Sequence, residues 1–260
     1  MRILVVGDPH GILPKKIPKN VDLILIIGDL PKSDIAREIY LGKKKEEIEF
    51  SKKDSMLWKK MHDEISSSLL NVARFFSRIA PTYSLLGNVG NTLDSRTKRE
   101  GKKLRVKLTY IREELKKIKN FHIVKNRIRK IENLRIGFLE YFLDECWEKE
   151  FEGNRRGRAS RAVKETIKAK KVLEKFSEVD ILICHQPPYG YLDKVNSKFV
   201  PKDWVGKHAG SKVVLDYIKK KQPRYVLCGH IHEGKGKAKI GKTEVYNVGS
   251  EGDYVLLKID

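Results

Sequence analysis

Five short apolar runs, each cut off abruptly by a glycine or a ligand-type residue, constrain this chain more than any other feature. They span Arg2–Val6, Asp22–Ile27, Thr82–Leu86, Asp180–Ile183 and Arg224–Cys228 and are nearly continuous in apolar residues, many of them β-branched. Such runs suit strands covered on both faces, as in a sheet buried between layers. Four are followed at once by glycine and a polar residue: Gly7-Asp8, Gly28-Asp29, Gly87-Asn88 and Gly229-His230. The fifth leads into Cys184-His185-Gln186-Pro187-Pro188. Glycine lets a chain turn sharply off a sheet and pass close to a ligand. In open α/β sheets the ligand crevice lies beyond the carboxyl ends of the strands. A site assembled from several converging strand ends is therefore expected.

The residues at those ends are Asp8, His10, Asp29, Asn88, His185, His230 and His232. Oxygen and imidazole donors in this mixture suit a pair of divalent transition metals. Asp8 and His10 are two apart, as are His230 and His232. In an extended chain, side chains at i and i+2 point to the same side, so each pair can reach one site. A two-metal site also needs a bridging ligand, and Asp29, the lone carboxylate of its motif, can supply one. Taken singly, Gly-Asp or Gly-Asn after a strand is ordinary turn chemistry, and Pro187-Pro188 is a loop. All five motifs in order, each at a strand end, point to metal-assisted hydrolysis of a phosphate ester.

This set resembles the calcineurin-like metallophosphoesterases, whose pattern runs D-x-H, G-D, G-N-H-[D/E], H, then G-H-x-H. The resemblance extends from residue 2 to the C-terminus and covers the middle of the chain less well. The stretches Pro187-Pro188-Tyr189-Gly190, Gly210-Ser211-Lys212 and Gly229–Gly234 are most similar to small prokaryotic and archaeal-type members. The resemblance implies one metal on Asp8, His10, Asp29 and His232, and a second on Asp29, Asn88, His185 and His230. It also implies catalytic duty for Asn88 and His185 besides ligation, and attack on phosphorus by a hydroxide bridging the ions. Mn²⁺ is the first choice of metal; Ni²⁺, Fe²⁺, Co²⁺ and Zn²⁺ accept the same donors, and availability often decides.

The chain departs from the pattern at its third motif, which reads Gly87-Asn88-Val89-Gly90. The family's histidine, which protonates the leaving group, is replaced by Val89, and valine carries no proton. General acid help is worth about 10²–10⁴-fold in rate. His208, in the loop Gly206–Gly210, and Tyr189 are candidates for a substitute acid. Without one, substrates with good leaving groups are favoured over unactivated alkyl monoesters.

Length and charge complete the frame. A chain of 260 residues can bury a sizeable core as a single α/β domain. It has no apolar run long enough for a membrane span. With its first strand at Arg2, no signal peptide is expected, which points to the cytoplasm. Three cysteines make no disulfide framework; Cys184 and Cys228 read as core residues. Only Gln186 and Gln222 represent glutamine beside abundant Lys and Glu, a hint of a thermophilic source.

The net charge of +21 is concentrated: residues 92–131 hold fifteen Lys/Arg against four Asp/Glu, and residues 155–175 hold nine against two. The first segment reads as a helix with Leu104, Leu108, Ile111, Leu115 and Ile118 on one stripe, and the second as a basic loop, Gly153–Arg158, leading into a helix to Phe176. Further helices are expected at 34–41, 54–78 and 211–221. Strands are expected at 121–124 and 134–139, then a meander over 236–240, 243–248 and 253–259. The expected fold is a four-layer α/β/β/α sandwich of two mixed sheets, one domain over 1–260, with a basic helical insertion at roughly 92–177.

Three functions fit. The first is a dinuclear-metal phosphoesterase acting on a phosphodiester or activated ester, small-molecule or nucleotide-derived. The second is a nuclease of the same family whose basic insertion follows DNA or RNA, though the basic stretches lack regular aromatics for base stacking. The third is a metal-binding scaffold without activity, which the loss of the histidine at 89 would suit. The intact set of seven ligand-type residues favours an enzyme. No membrane partner is expected, and nothing in the sequence sets an oligomeric state.

Overall fold

A computed structural model describes residues 1–42, 54–90, 94–151, 156–197 and 200–259. Its strands form two mixed sheets. One contains β1 (Arg2–Val6), β2 (Leu23–Ile26), β3 (Thr82–Ser84), β4 (Phe121–Ile123) and the last strand, β11 (Tyr254–Lys258). Their order is β11-β1-β2-β3-β4, with β1 to β4 parallel and β11 antiparallel to β1. The other sheet is built from β5 (Arg127–Ile131), β6 (Leu134–Leu139), β7 (Ile181–Cys184), β8 (Tyr225–Cys228), β9 (Gly236–Ile240) and β10 (Thr243–Asn247). Here the order is β5-β6-β7-β8-β10-β9, parallel from β6 through β10, with antiparallel strands at both edges.

Alternation along the strands explains how these sheets stack. Ile3, Val5, Leu23, Leu25 and Ile27 pack against Ile136, Phe138, Ile181, Ile183 and Leu227 in a core between the sheets. The intervening Leu4, Val6, Ile24 and Ile26 face the other way, onto helices α2 (Ser55–Ser77) and α4 (Ile111–Lys116). Leu182, Cys184, Val226 and Cys228 do the same for the second sheet, under α6 (Arg156–Glu174) and α7 (Lys212–Lys221). Both faces of the central strands are thus buried, which is why they read as unbroken apolar runs. The result is the expected α/β/β/α sandwich. Cys184 and Cys228 are core residues, and burial pushes both thiols up.

Three local expectations are corrected. The stripe from Leu104 to Ile118 does not lie on one helix. Instead α3 (Asp94–Leu104) ends where Arg105 turns left-handed at φ 57°, and the chain runs extended before α4. The Val106 amide donates to the Gly101 carbonyl at 3.0 Å, closing the elbow. Leu104, Leu108, Ile111 and Leu115 are nonetheless buried. The second correction is β5, a strand that was not anticipated. As an edge strand with Arg127, Arg129 and Lys130 exposed, it lacks an apolar run, and edge charges discourage pairing with other chains. The third is the tail meander: β9 and β10 pair antiparallel, but β11 crosses to the other sheet and pairs with β1.

Within 92–177, β4, β5 and β6 join the sheets, and α3, α4, α5 (Glu145–Phe151) and α6 lie along the same stretch. Residues 153–155 of the expected basic loop lie outside the described residues. No helix among the described residues is long and apolar enough to cross a membrane.

Candidate metal centre

The parallel strands of both sheets carry the seven candidate residues at their carboxyl ends: β1 leads to Asp8 and His10, β2 to Asp29, β3 to Asn88, β7 to His185, and β8 to His230 and His232. Contacts across the sheets draw them together. Asp8 Oδ2 accepts the His230 amide at 2.6 Å and lies 3.4 Å from His232 Nε2. His10 Nε2 and His232 Nε2 are 3.4 Å apart. His185 reaches both carboxylates, Nδ1 lying 3.5 Å from Asp8 Oδ1 and Nε2 lying 3.6 Å from Asp29 Oδ2. The same Nε2 is 2.8 Å from Asn88 Oδ1, and the His185 and His230 rings are 4.9 Å apart. Asp8, His10, Asp29 and His185 are buried, His230 and His232 half-buried, and Asn88 exposed at the rim.

The glycines allow this crowding. A Cβ on Gly229 would lie 2.6 Å from Asp8 Oδ2. One on Gly87 would lie 2.3 Å from Asp29 Oδ1, at a φ of 72° that already disfavours a side chain. The paired ligands do not converge along extended chain, as their spacing suggested. His10, Asp29 and His230 all take left-handed conformations, with φ of 47°, 37° and 66°. Such non-glycine conformations cost about 1–3 kcal/mol each and gather at functional sites. The turns send His232 to Asp8 and His10, and His230 to the ring of His185.

Electrostatics couple the group. Burial alone would push both aspartates up, but the charge of His185 prevails and holds them below their ordinary range. A contact from His232 helps at Asp8; contacts from His185 and the Val89 amide help at Asp29. Burial alone would lower His185, yet the charges of Asp8 and Asp29 raise it to about 9. Burial pushes His230 down to about 3, assisted by the neighbouring charge of His185. His10 is likewise lowered by burial.

The donors fit a metal. Asp8 Oδ1, His10 Nδ1 and His185 Nδ1 are buried without a hydrogen-bond partner. Buried polar atoms are ordinarily satisfied, and each orphan costs about 1–3 kcal/mol. Ligand atoms of Asp29, His185 and His230 all lie within 4.8 Å of one another, close enough to share one ion.

Val89 keeps a part in the site through its backbone, its amide donating to Asp29 Oδ1 at 2.8 Å. His208 Nδ1 pairs with the buried Asp193 at 2.6 Å, and its ring lies 5.4 Å from Tyr189. Three residues escaped the sequence reading. Glu140 is buried and accepts the amides of Leu86 and Gly87, each at 3.0 Å, so it fixes the turn that presents Asn88. The Tyr141 ring lies 5.8 Å from that of His185 and 5.7 Å from that of His230, and the Trp147 ring lies 5.8 Å from His230. Glu140 and Tyr141 follow β6 directly, so the strand-end signal was present there, but without the glycine that marked the others.

Comparisons with known proteins agree with this geometry. Residues 1–234 match the family model described as calcineurin-like phosphoesterase. Human metallophosphoesterase domain-containing protein 1 is 41% identical over 70 residues, which cover 26% of this chain and 19% of the human protein. The chain therefore aligns with only about a fifth of that relative's length. Among solved structures, one chain superposes over 100% of this chain and 99% of its own, with a TM-score of 0.55 at 15% identity. The phosphopantetheinyl hydrolase PptH of Mycobacterium tuberculosis superposes over 96% of this chain and 89% of its own, with a TM-score of 0.53 at 12% identity.

Proposed function

The chain belongs to the calcineurin-like phosphoesterase family, and from that premise we propose that it is a dinuclear-metal phosphoesterase acting on phosphodiesters or activated phosphate esters. The observation that carries this reading is the set of buried donor atoms on Asp8, His10 and His185 that lack a hydrogen-bond partner, gathered where the strands of two sheets end. Asp8, His10, Asp29 and His232 would hold one ion, and Asp29, Asn88, His185 and His230 the other. Bound there, divalent metals supply Lewis acidity toward phosphoryl oxygens and lower the pKa of water toward neutrality.

The chain's own residues do the rest. Asp29 is oriented by the Val89 amide on Oδ1, with Oδ2 turned toward His185. Glu140 holds the Leu86–Gly87 turn so that Asn88 stands at the rim beside His185. Tyr141 and Trp147 set aromatic rings on the His230 side. Val89 offers no proton to a departing alkoxide, and the side-chain contacts of His208 are with Asp193 and Tyr189, not with the ligand-type residues. The reading therefore favours leaving groups that depart without protonation.

The test is hydrolysis of bis-p-nitrophenyl phosphate and p-nitrophenyl phosphate with added Mn²⁺, against a chelator-treated control. Diester turnover that disappears on chelation and exceeds monoester turnover is the expected result. No turnover with Mn²⁺, Ni²⁺, Fe²⁺, Co²⁺ or Zn²⁺ would favour a metal-binding scaffold instead.

A further inference from the structure

The elbow between α3 and α4 forms an open cleft of about 320 Å³ lined by Lys98, Gly101, Lys102, Arg105, Lys107 and Tyr110, among others. Four cations face it and no carboxylate does. We propose that this cleft is an accessory site for the sugar–phosphate backbone of a single-stranded nucleic acid, distinct from the metal centre.

What sets this surface apart is that its cations line one concavity without a carboxylate among them. Some helical cations of the molecule meet a carboxylate one turn away, as in Arg161 with Glu165, Lys149 with Glu145 and Lys59 with Asp63. In α3 the residue four positions after Lys98 is Lys102, and like charges at that spacing repel. Asp94 is placed to neutralise Lys98 but is spent otherwise: its two oxygens accept the amides of Arg112 and Glu113 at the start of α4. Among the described residues, Lys98, Lys102, Arg105 and Lys107 have no ion-pair partner. Charges left unbalanced around one concavity attract an anion.

The cleft is also built rather than loose. Asp94 ties α3 to α4, the Val106 amide closes onto the Gly101 carbonyl, and a Cβ on Gly101 would lie 2.9 Å from the Val106 carbonyl oxygen. Leu104 and Leu108 anchor the elbow in the protein interior.

The choice of ligand follows from its surroundings. A membrane-binding helix shows large apolar side chains beside its cations, and none of the exposed large hydrophobic residues falls within 94–119. Tyr110 instead gives the cleft an aromatic ring, and cations beside aromatic rings suit a single strand. α3 begins four residues after Gly90, in the segment that leaves the Asn88 turn. The choice of a phosphodiester polymer rests on the phosphoesterase reading of the metal centre. α6, the second basic helix, packs on the other sheet of the sandwich and so cannot extend the same cleft.

The experiment is fluorescence anisotropy of a labelled oligonucleotide of about 20 nucleotides, titrated with the full chain at several salt concentrations. Each phosphate contact contributes about 0.7 to the slope of log affinity against log salt for a single strand, so four cations contribute about 3. The variant K98A/K102A/R105A/K107A is expected to lose about 3 from that slope, and the α6 variant K164A/K168A/K171A less than about 1. The paired variant K98Q/K102Q, a milder change that guards against misfolding, is expected to lose about 1.4. An unchanged slope in the folded cleft variants, an equal loss in the α6 variant, or preferred binding to phosphatidylserine vesicles would overturn the proposal. Diester turnover with Mn²⁺, measured on the same proteins, is expected to be unchanged by the cleft substitutions. Absent turnover in the unmodified chain would count against the phosphoesterase reading, while the binding comparison would still decide the cleft.

Discussion

At the strand ends, two carboxylates and four imidazoles lie within a few ångströms of one another, most of them out of water. On α3 and α6 the charges are more numerous but stand in solvent, where salt screens them. The contrast shows that the location of a charge outweighs the number of charges. Two unit charges 4 Å apart interact with about 1 kcal/mol in water and about 4 kcal/mol at an effective dielectric constant of 20. That is why His185 between Asp8 and Asp29 rises to about 9, while the many lysines of the outer helices stand in solvent and supply the net charge.

The contrast breaks first, if at all, at Asp29. Asn in its place keeps the shape and removes the proposed bridge. Diester turnover is expected to fall by more than the roughly 10–100-fold typical for a residue that only orients a ligand. Metal content should drop below two ions per chain; full dual occupancy by elemental analysis would remove Asp29 from the bridging role.

Glu140→Ala tests the turn that carries Asn88. Leaving two buried amides without an acceptor should cost about 1–3 kcal/mol, or about 2–4 °C of melting temperature per kcal/mol for a chain of this size. Turnover should fall by about 10–100-fold as Asn88 loses its position. Unchanged activity in a destabilised protein would confine Glu140 to stability.

The pH dependence of metal binding comes next. In the metal-free site His185 holds a proton up to about pH 9, above its ordinary 6.5, and a metal must displace it. Affinity should therefore rise by about tenfold per pH unit below 9 and level off above it. His230, lowered to about 3, is already neutral and adds nothing to this slope. A chelator competition series giving flat affinity between about pH 6 and about pH 8 would exclude His185 as a ligand.

The smallest effect is expected on α6. Lys164→Ala with Lys168→Ala, both exposed, should change stability by no more than about 0.5 kcal/mol and leave diester turnover unaltered. A larger loss in thermal unfolding would give the outer charges a role that their exposure does not suggest.

The central strands were legible because burial on both faces demands continuous apolar sequence, and the ligand motifs because each stood where such a run stopped. The helix break at Arg105 was not, since Leu104, Leu108, Ile111 and Leu115 keep helical spacing across an elbow that buries them anyway. β5 was missed because an edge strand needs no apolar run. Glu140 was missed because it works by accepting backbone amides from another strand end, 53 and 54 residues away in sequence.

By itself, then, the sequence determined the central strands, the layered architecture and the residue types gathered for metal chemistry, because hydrophobic period and glycine placement are local. Only the tertiary structure decided which partners those residues meet. The left-handed turns at His10, Asp29 and His230, the reach of His185 to both aspartates, and the assignment of the two basic helices to different sheets all depend on contacts between segments far apart in the chain. Local sequence carries no record of such contacts, and it is the burial they create that turns shared charges into a site.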